Sequence, residues 1–160
     1  MAVLLLCLIA AGVLAAEISA IVCSTTFCVR DYTVAIEGIE RDTKVVLISD
    51  LHSRQYGENN ARLLRAIAEA KPAAIFCAGD MVNAGADDAE VRQMVDFVAR
   101  LQGIAQVYYS LGNTELQNML DGGADILRLV RGVGAIAMLD DYVETEIGGT
   151  AILLFCISFS

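Results

Sequence analysis

Three short apolar runs, separated by two segments of helical periodicity, constrain the fold of this chain most strongly. The runs lie over residues 44–49, 73–78 and 106–111, and each is predicted to be a buried strand. Between them, residues 60–70 and 87–101 repeat apolar side chains along one helical face. Strand, helix, strand, helix, strand, with fully apolar strands, is typical of a parallel sheet covered by helices.

Further elements are predicted on both sides of this core. Residues 30–43 are polar and mixed in charge, but Tyr32, Val34 and Ile36 alternate, which predicts a short edge strand. The later elements are predicted as a helix over 124–131 and strands over 135–139, 142–147 and 150–158. We therefore predict an α/β domain over residues 30–160, with a layered parallel or mixed sheet and flanking helices.

The first 29 residues are predicted to form a separate segment. Residues 2–16 are all apolar, Glu17 interrupts them, and residues 18–23 are again mostly apolar. The unbroken run would span roughly 22 Å as a helix, short of the ~30 Å hydrocarbon core, whereas the longer segment would span it. We favour a single-pass N-terminal transmembrane helix, and hence a membrane location. A cleaved signal peptide and a buried core helix are the alternatives. No basic residue precedes the run, which argues against a signal peptide and leaves the orientation open.

The charge of the chain limits the classes of partner that it can bind. The formal net charge is −9 and the sequence pI is about 4.4. An acidic chain repels the phosphates of nucleic acid, so we expect no nucleic-acid-binding surface. A chain rich in carboxylates is better suited to a site that collects metal cations.

Polar side chains follow each of the three predicted core strands. Asp50 and His52 follow the first, Gly79 and Asp80 the second, and Asn113 the third. Because open parallel sheets bind ligands at the carboxyl ends of their strands, we expect these side chains to share one site. Each residue alone is more often structural than functional, and the ordered combination carries the prediction.

The residue types suit a divalent metal site. Asp50 and His52 are two apart, so both would point to one side of an extended backbone, and a carboxylate with an imidazole suits Mn, Fe or Zn. Asp80 offers two oxygens that could bridge two ions, and Asn113 offers a neutral carbonyl oxygen. Two metals ~3.5–4 Å apart clamp a phosphoryl group and generate a bound hydroxide.

The segments KVVLISDLHSRQYGENN, FCAGDMVN and VYYSLGNTE resemble the calcineurin-like metallophosphoesterases, and most closely their membrane-anchored bacterial branch. The resemblance covers residues 44–157 and implies the N-terminal half of that family's α/β sandwich. It also implies hydrolysis of phosphate mono- or diesters at a centre of two divalent metal ions. By position, Asp50 and His52 would bind one metal, Asp80 would bridge both, and Asn113 would bind the second.

The chain departs from the family pattern in two ways. Thr114 occupies the position of the family's catalytic histidine, and its hydroxyl could donate to a phosphate oxygen but could not act as an acid near neutral pH. The chain has no histidine after His52, so the later histidine ligands of the family are missing. We therefore expect a truncated domain with impaired activity. The alternative is an inactive or regulatory pseudoenzyme that keeps the fold and at most one metal.

A nucleotide-binding α/β module is a weaker alternative. Such a module needs a glycine-rich loop after its first strand to hold the phosphates. Here the loop reads DLHSRQYGENN and contains a single glycine. The sequence therefore favours the metal site over a phosphate-binding loop.

Overall fold

The structure, a computed structural model, describes residues 12–14, 16–17, 26–39 and 41–157. Within these ranges, no helix has the length and apolar character needed to cross a membrane. The predicted anchor over residues 1–29 lies mostly outside the described residues and stays a prediction.

Over residues 45–110, the strands and helices alternate as the apolar runs predict. In chain order the elements are β1 (Val45–Ile48), α1 (Ala61–Ala70), β2 (Ala74–Ala78), α2 (Asp88–Gln102), β3 (Gln106–Ser110), α3 (Asn113–Leu120), α4 (Ile126–Gly132), β4 (Ile136–Met138), β5 (Asp141–Ile147) and β6 (Thr150–Cys156). A 3₁₀ turn over Glu58–Asn60 precedes α1. The first four strands form a parallel sheet in the order β1-β2-β3-β4, and β5 pairs with β6 as an antiparallel hairpin. The predicted α/β fold with a parallel sheet and flanking helices is confirmed.

The two faces of the parallel sheet pack against different layers. Side chains alternate along a strand, so Ile75 and Cys77 of β2 join the core that contains the buried residues of α1, α2 and α4. Ala74 of β2 and Tyr108 of β3 belong to a smaller cluster with the hairpin, which contributes Ile147 and Cys156. The helices therefore cover one face and the hairpin part of the other.

The two longest helices differ in the side-chain hydrogen bonds at their starts. Asp87 caps α2, because its Oδ1 accepts from the backbone N–H groups of Ala89 and Glu90 at 2.8 and 2.9 Å. This confirms the predicted start of that helix. Asn60 stands at the N-cap of α1, but its side chain does not cap the helix and accepts from the Tyr56 N–H at 2.9 Å instead.

The predicted edge strand between residues 30 and 43 is wrong. Residues 26–36 form no strand in the structure. Tyr32, Val34 and Ile36 are exposed, by 79%, 73% and 58%. An alternating pattern stabilises a strand only when one of its faces is buried. These three side chains are exposed, so no buried face stabilises a strand here.

Candidate functional site

The loops that follow β1 and β2 run side by side at the carboxyl edge of the sheet. The Asp50 N–H donates to the Gly79 carbonyl at 3.1 Å, and the His52 N–H donates to the Asp80 carbonyl at 3.0 Å. These bonds continue the parallel pairing of the two strands beyond their ends. They place the backbone of Asp50 and His52 directly beside that of Asp80.

Four non-glycine residues at this edge adopt left-handed backbone conformations. Their φ angles are 55° at Asp50, 46° at His52, 56° at Ser53 and 55° at Asp80. The predicted extended backbone from Asp50 to His52 is therefore wrong. Their side chains nevertheless lie together, with His52 Nε2 3.9 Å from Asp50 Oδ1. Each such conformation costs of order 1–3 kcal/mol and is typical of functional loops.

Two glycines allow β2 and β3 to approach each other at this edge. Gly79 has a φ of +83°, and a Cβ added there would lie 2.5 Å from the Gly112 nitrogen. A Cβ added at Gly112 would overlap the backbone nitrogen and Oδ1 of Asp80. The absence of a side chain at both positions is what allows the Asp80 carboxylate to lie against the start of α3.

The Asn113 carboxamide lies beside the Asp80 carboxylate. One edge of the Asn113 carboxamide lies 3.1 Å from Asp80 Oδ2 and 3.3 Å from Oδ1. With nitrogen on that edge, the amide donates to both carboxylate oxygens. With oxygen on that edge, three oxygens converge, and only a cation among them makes this favourable.

Thr114 holds the same carboxylate from the other side. Its backbone N–H and its hydroxyl lie 3.0 and 2.8 Å from Asp80 Oδ1, and the hydroxyl is also 2.9 Å from the carbonyl of Val82. The Thr114 side chain is buried. Its hydroxyl therefore contacts the interior of the site and is not presented to solvent.

Glu115 joins the loops after β2 and β3 from within the fold, a role that the sequence patterns do not predict. It is fully buried, and its Oε2 accepts from the N–H groups of Asp80 and Gly112 at 2.8 and 3.0 Å. Its Oε1 accepts from the Met81 N–H at 2.6 Å and the Tyr109 hydroxyl at 3.1 Å. Its sequence signal is the G-x-x-E spacing from Gly112, in which the Glu115 side chain accepts from the N-cap N–H as it would in a capping box.

This buried negative charge affects its neighbours. Burial, together with the charge of Glu115, raises the pKa of Cys77 to about 12. The same two causes raise the pKa of Tyr109 well above its usual value. Both side chains therefore stay neutral across the physiological range.

An open cavity reaches the Asp80 carboxylate from the hairpin side of the sheet. Its volume is about 460 Å³, and Asp80, Gly112 and Asn113 lie among its lining residues. Apolar side chains of the sheet and the hairpin, including Phe76 and Leu154, line much of the remainder. The Asp80–Asn113 pair is therefore accessible from solvent.

Comparison with known families decides the identity of this domain. The family model of the calcineurin-like phosphoesterases matches residues 43–150 of the 160-residue chain. The chain belongs to the calcineurin-like phosphoesterase family. The match runs from the residues before β1 to the start of β6 and includes Asp50, His52, Asp80 and Asn113. A comparison with curated proteins gives no match.

Calcineurin-like phosphoesterases typically use divalent metals, and the donor types at this edge fit such ions. Carboxylate, imidazole and amide oxygen are ligands of Mn, Fe and Zn. Among the residues that the structure describes, no three His, Cys, Asp or Glu side chains come close enough together to hold an ion. The four predicted ligands instead form two pairs, Asp50 with His52 and Asp80 with Asn113.

Proposed function

We propose that this calcineurin-like phosphoesterase hydrolyses phosphate mono- or diesters with divalent metal ions held by Asp50, His52, Asp80 and Asn113. The observation that carries the proposal is the convergence of the loops after β1 and β2, where the His52 N–H donates to the Asp80 carbonyl at 3.0 Å and Asn113 lies beside the Asp80 carboxylate. The left-handed backbone at Asp50 and His52 supports it, because such conformations are retained where function needs them.

Some residues of the chain would bind the metal ions, and others would position the residues that bind them. A divalent ion at this edge would supply Lewis-acid polarisation of a phosphoryl oxygen and would make a water molecule more acidic. Asp80 and Asn113 would hold one ion, and Asp50 with His52 would contribute the other pair of ligands. Glu115 would keep the Asp80 and Gly112 backbones in register, through its bonds to both N–H groups.

The leaving group would depart without help from the residue after Asn113. The Thr114 hydroxyl is buried against Asp80 and Val82 and is too weak an acid for this task. A positioned acid contributes typically 10²–10⁴-fold to rate. Esters with good leaving groups, such as p-nitrophenolate, should therefore react at least about 100-fold faster than alkyl phosphates.

The proposal is tested by turnover of aryl phosphates by the purified chain. With manganese, we expect slow hydrolysis of p-nitrophenyl phosphate or of bis-(p-nitrophenyl) phosphate, no detectable hydrolysis of glycerol phosphate, and loss of activity with a chelator. The Asp80→Asn variant should lose the activity, whereas Asp88→Asn, on the exposed first turn of α2, should keep it. Turnover that survives chelation or Asp80→Asn would refute the proposal.

A second candidate is a binding or regulatory protein that retains one metal without turnover. The buried, hydrogen-bonded Thr114 hydroxyl favours it, since the position of the family's histidine offers no proton to a substrate. Manganese binding that depends on Asp80, without hydrolysis of either aryl ester, would identify this function.

The apolar N-terminal segment supports a further part of the proposal, that residues 1–29 anchor the chain in a membrane. An anchored chain should stay with the membrane fraction during alkaline carbonate extraction, and a variant lacking residues 1–29 should be released. Release of the full chain by carbonate would argue against the anchor.

A further inference from the structure

The cavity beside Asp80 is polar at one end and apolar along most of its walls. Asp80, Ser110 and Asn113 form its polar end, at the carboxyl edge of the sheet. We infer that this cavity holds the organic group of the substrate, and that the substrate is a phosphate ester with one phosphoryl group and an apolar alkyl or aryl group. The inference rests on the function proposed above and specifies its substrate class.

Apolar side chains from the sheet, the hairpin and α3 form the walls of this cavity. They include Leu47 of β1, Phe76 of β2, Leu116 of α3, Met138 of β4 and Leu154 of β6. Leu47 is 69% exposed, and Phe76 and Leu154 are half-buried, so these side chains keep apolar surface that a ligand could cover. Apolar walls with a few polar groups that fix the orientation of the ligand are typical of small-molecule sites.

The charge of the cavity argues against a substrate with several phosphate groups. Of the described residues that line it, Asp80 alone is charged, and none is lysine, arginine or histidine. Proteins bind the phosphates of nucleotides through such cationic side chains or through glycine-rich loops. Additional phosphates would therefore find no cationic side chain in this cavity, whereas an apolar group would gain from burial against its walls.

The position and size of the cavity suit the organic group of such an ester. Asp80 and Asn113, which line its polar end, are two of the residues proposed above to hold metal. A phosphoryl group bound there would place its ester group against the apolar walls. The volume of about 460 Å³ lies within the range of roughly 300–1,000 Å³ that is usual for small-molecule sites. The cavity can therefore take an aromatic ring or a short alkyl chain.

Leu116 is the cavity residue best suited to a test by substitution. It lies three residues after Asn113 on α3, and residues at that spacing share one face of a helix. It lines the cavity and belongs to neither of the two described core clusters, so Leu116→Asn should leave the fold intact. Leu120→Asn is the matched control, because Leu120 lies on the same helix, is 72% exposed and is outside the cavity lining.

The test is calorimetric titration of the full chain, with manganese present, with methyl-, propyl- and pentylphosphonate, which have no ester bond to hydrolyse. Affinity should rise about fourfold for each methylene that enters the cavity, and pentanol, which lacks the phosphonate, should bind far more weakly. Leu116→Asn should bind pentylphosphonate at least about fourfold more weakly and methylphosphonate as wild type does. Leu120→Asn should match wild type for both, and circular dichroism checks that each variant is folded.

The outcomes separate this inference from the proposed function. Equal affinities of wild type for the three phosphonates, no binding of any of them, or pentanol binding as tight as that of pentylphosphonate would overturn the inference, and these results need no variant to fold. Hydrolysis of the aryl esters would then leave the proposed function standing. Affinity that rises with chain length, without hydrolysis of either aryl ester, would support the inferred ligand class and overturn the hydrolytic function. Equal affinities of folded Leu116→Asn and Leu120→Asn for pentylphosphonate would also contradict the inference.

Discussion

At the scale of single residues, Glu115 organises the site although it would touch neither a metal nor a substrate. Its carboxylate is fully buried and accepts hydrogen bonds from three backbone N–H groups and from the Tyr109 hydroxyl. Two of those donors belong to the loop after β2 and one to Gly112 after β3. Burying a carboxylate is costly unless its oxygens are hydrogen-bonded, and here both oxygens are.

Glu115→Gln should lower the free energy of unfolding by about 2–4 kcal/mol. The amide nitrogen would replace one carboxylate oxygen and face donors instead of accepting from them, which leaves buried N–H groups unsatisfied. Urea unfolding of the variant and wild type measures the difference.

Glu144→Gln is the matched control, because Glu144 is exposed on β5. It should change the unfolding free energy by less than about 0.5 kcal/mol. Equal effects of the two substitutions would show that the buried hydrogen bonds of Glu115 contribute nothing specific to stability.

At the scale of secondary-structure elements, α3 is unusual because its buried residues are polar. Thr114, Glu115 and Asn118 are buried, whereas Leu120 is 72% exposed. Asn118 accepts from the Gly85 N–H at 2.6 Å and donates to the Asn83 carbonyl at 2.8 Å. The helix is therefore held to the loop after β2 by hydrogen bonds, and this fixes Asn113 and Asp80 relative to each other.

The inverted pattern of α3 explains why this helix was not predicted. Sequence periodicity identifies a helix by its apolar face, and in α3 the buried face carries Thr114, Glu115 and Asn118. The other elements of the core have buried apolar side chains, and their predicted bounds agree with the structure to within a few residues.

The helix cap of α2 gives a test at the same scale. Asp87→Ala should lower the free energy of unfolding by about 1 kcal/mol, because it removes the acceptor of two backbone N–H groups. Asp88→Ala, one residue later, should cost only a few tenths of a kcal/mol through the helix dipole. Chemical denaturation of both variants checks the difference, and equal losses would contradict the capping role of Asp87.

Sequence patterns identify residues of the site but do not specify the contacts between them. Asp50, His52, Asp80 and Asn113 were recognisable because they follow successive strands. Most of the hydrogen-bond partners of Thr114 and Glu115 lie more than 30 positions earlier in the chain, at residues 80–82. Contacts of that separation depend on the packing of β2 against β3, which single-sequence patterns do not specify.

At the scale of the whole molecule, the core between the parallel sheet and the helices keeps buried ionisable groups neutral. Cys77 on β2 is 1% exposed, and burial raises the pKa of its thiol from 9.0 to about 12. In the unfolded chain the thiol would ionise near its ordinary value. The folded state therefore retains a proton that the unfolded state releases above about pH 9.

This difference predicts a loss of stability at alkaline pH. The contribution of Cys77 is fully present below pH 9.0 and is lost as the pH rises toward about 12. Its loss steepens the decline in unfolding free energy by up to about 1.4 kcal/mol per pH unit. Urea unfolding between pH 8 and 10.5, under reducing conditions, should show a shallower decline for Cys77→Ala.

Cys28→Ala is the control for this measurement, because Cys28 is an exposed free cysteine. It should leave the pH dependence of stability unchanged. A decline in Cys77→Ala as steep as that of wild type would show that the Cys77 thiol does not ionise on unfolding.

The most direct test of a divalent metal site at this sheet edge is calorimetric titration of the full chain with manganese. Wild type should bind the ion, Asp80→Asn should bind it at least about tenfold more weakly, and Asp88→Asn should bind it as wild type does. Equal affinities of wild type and Asp80→Asn would show that Asp80 holds no metal, and would contradict the account.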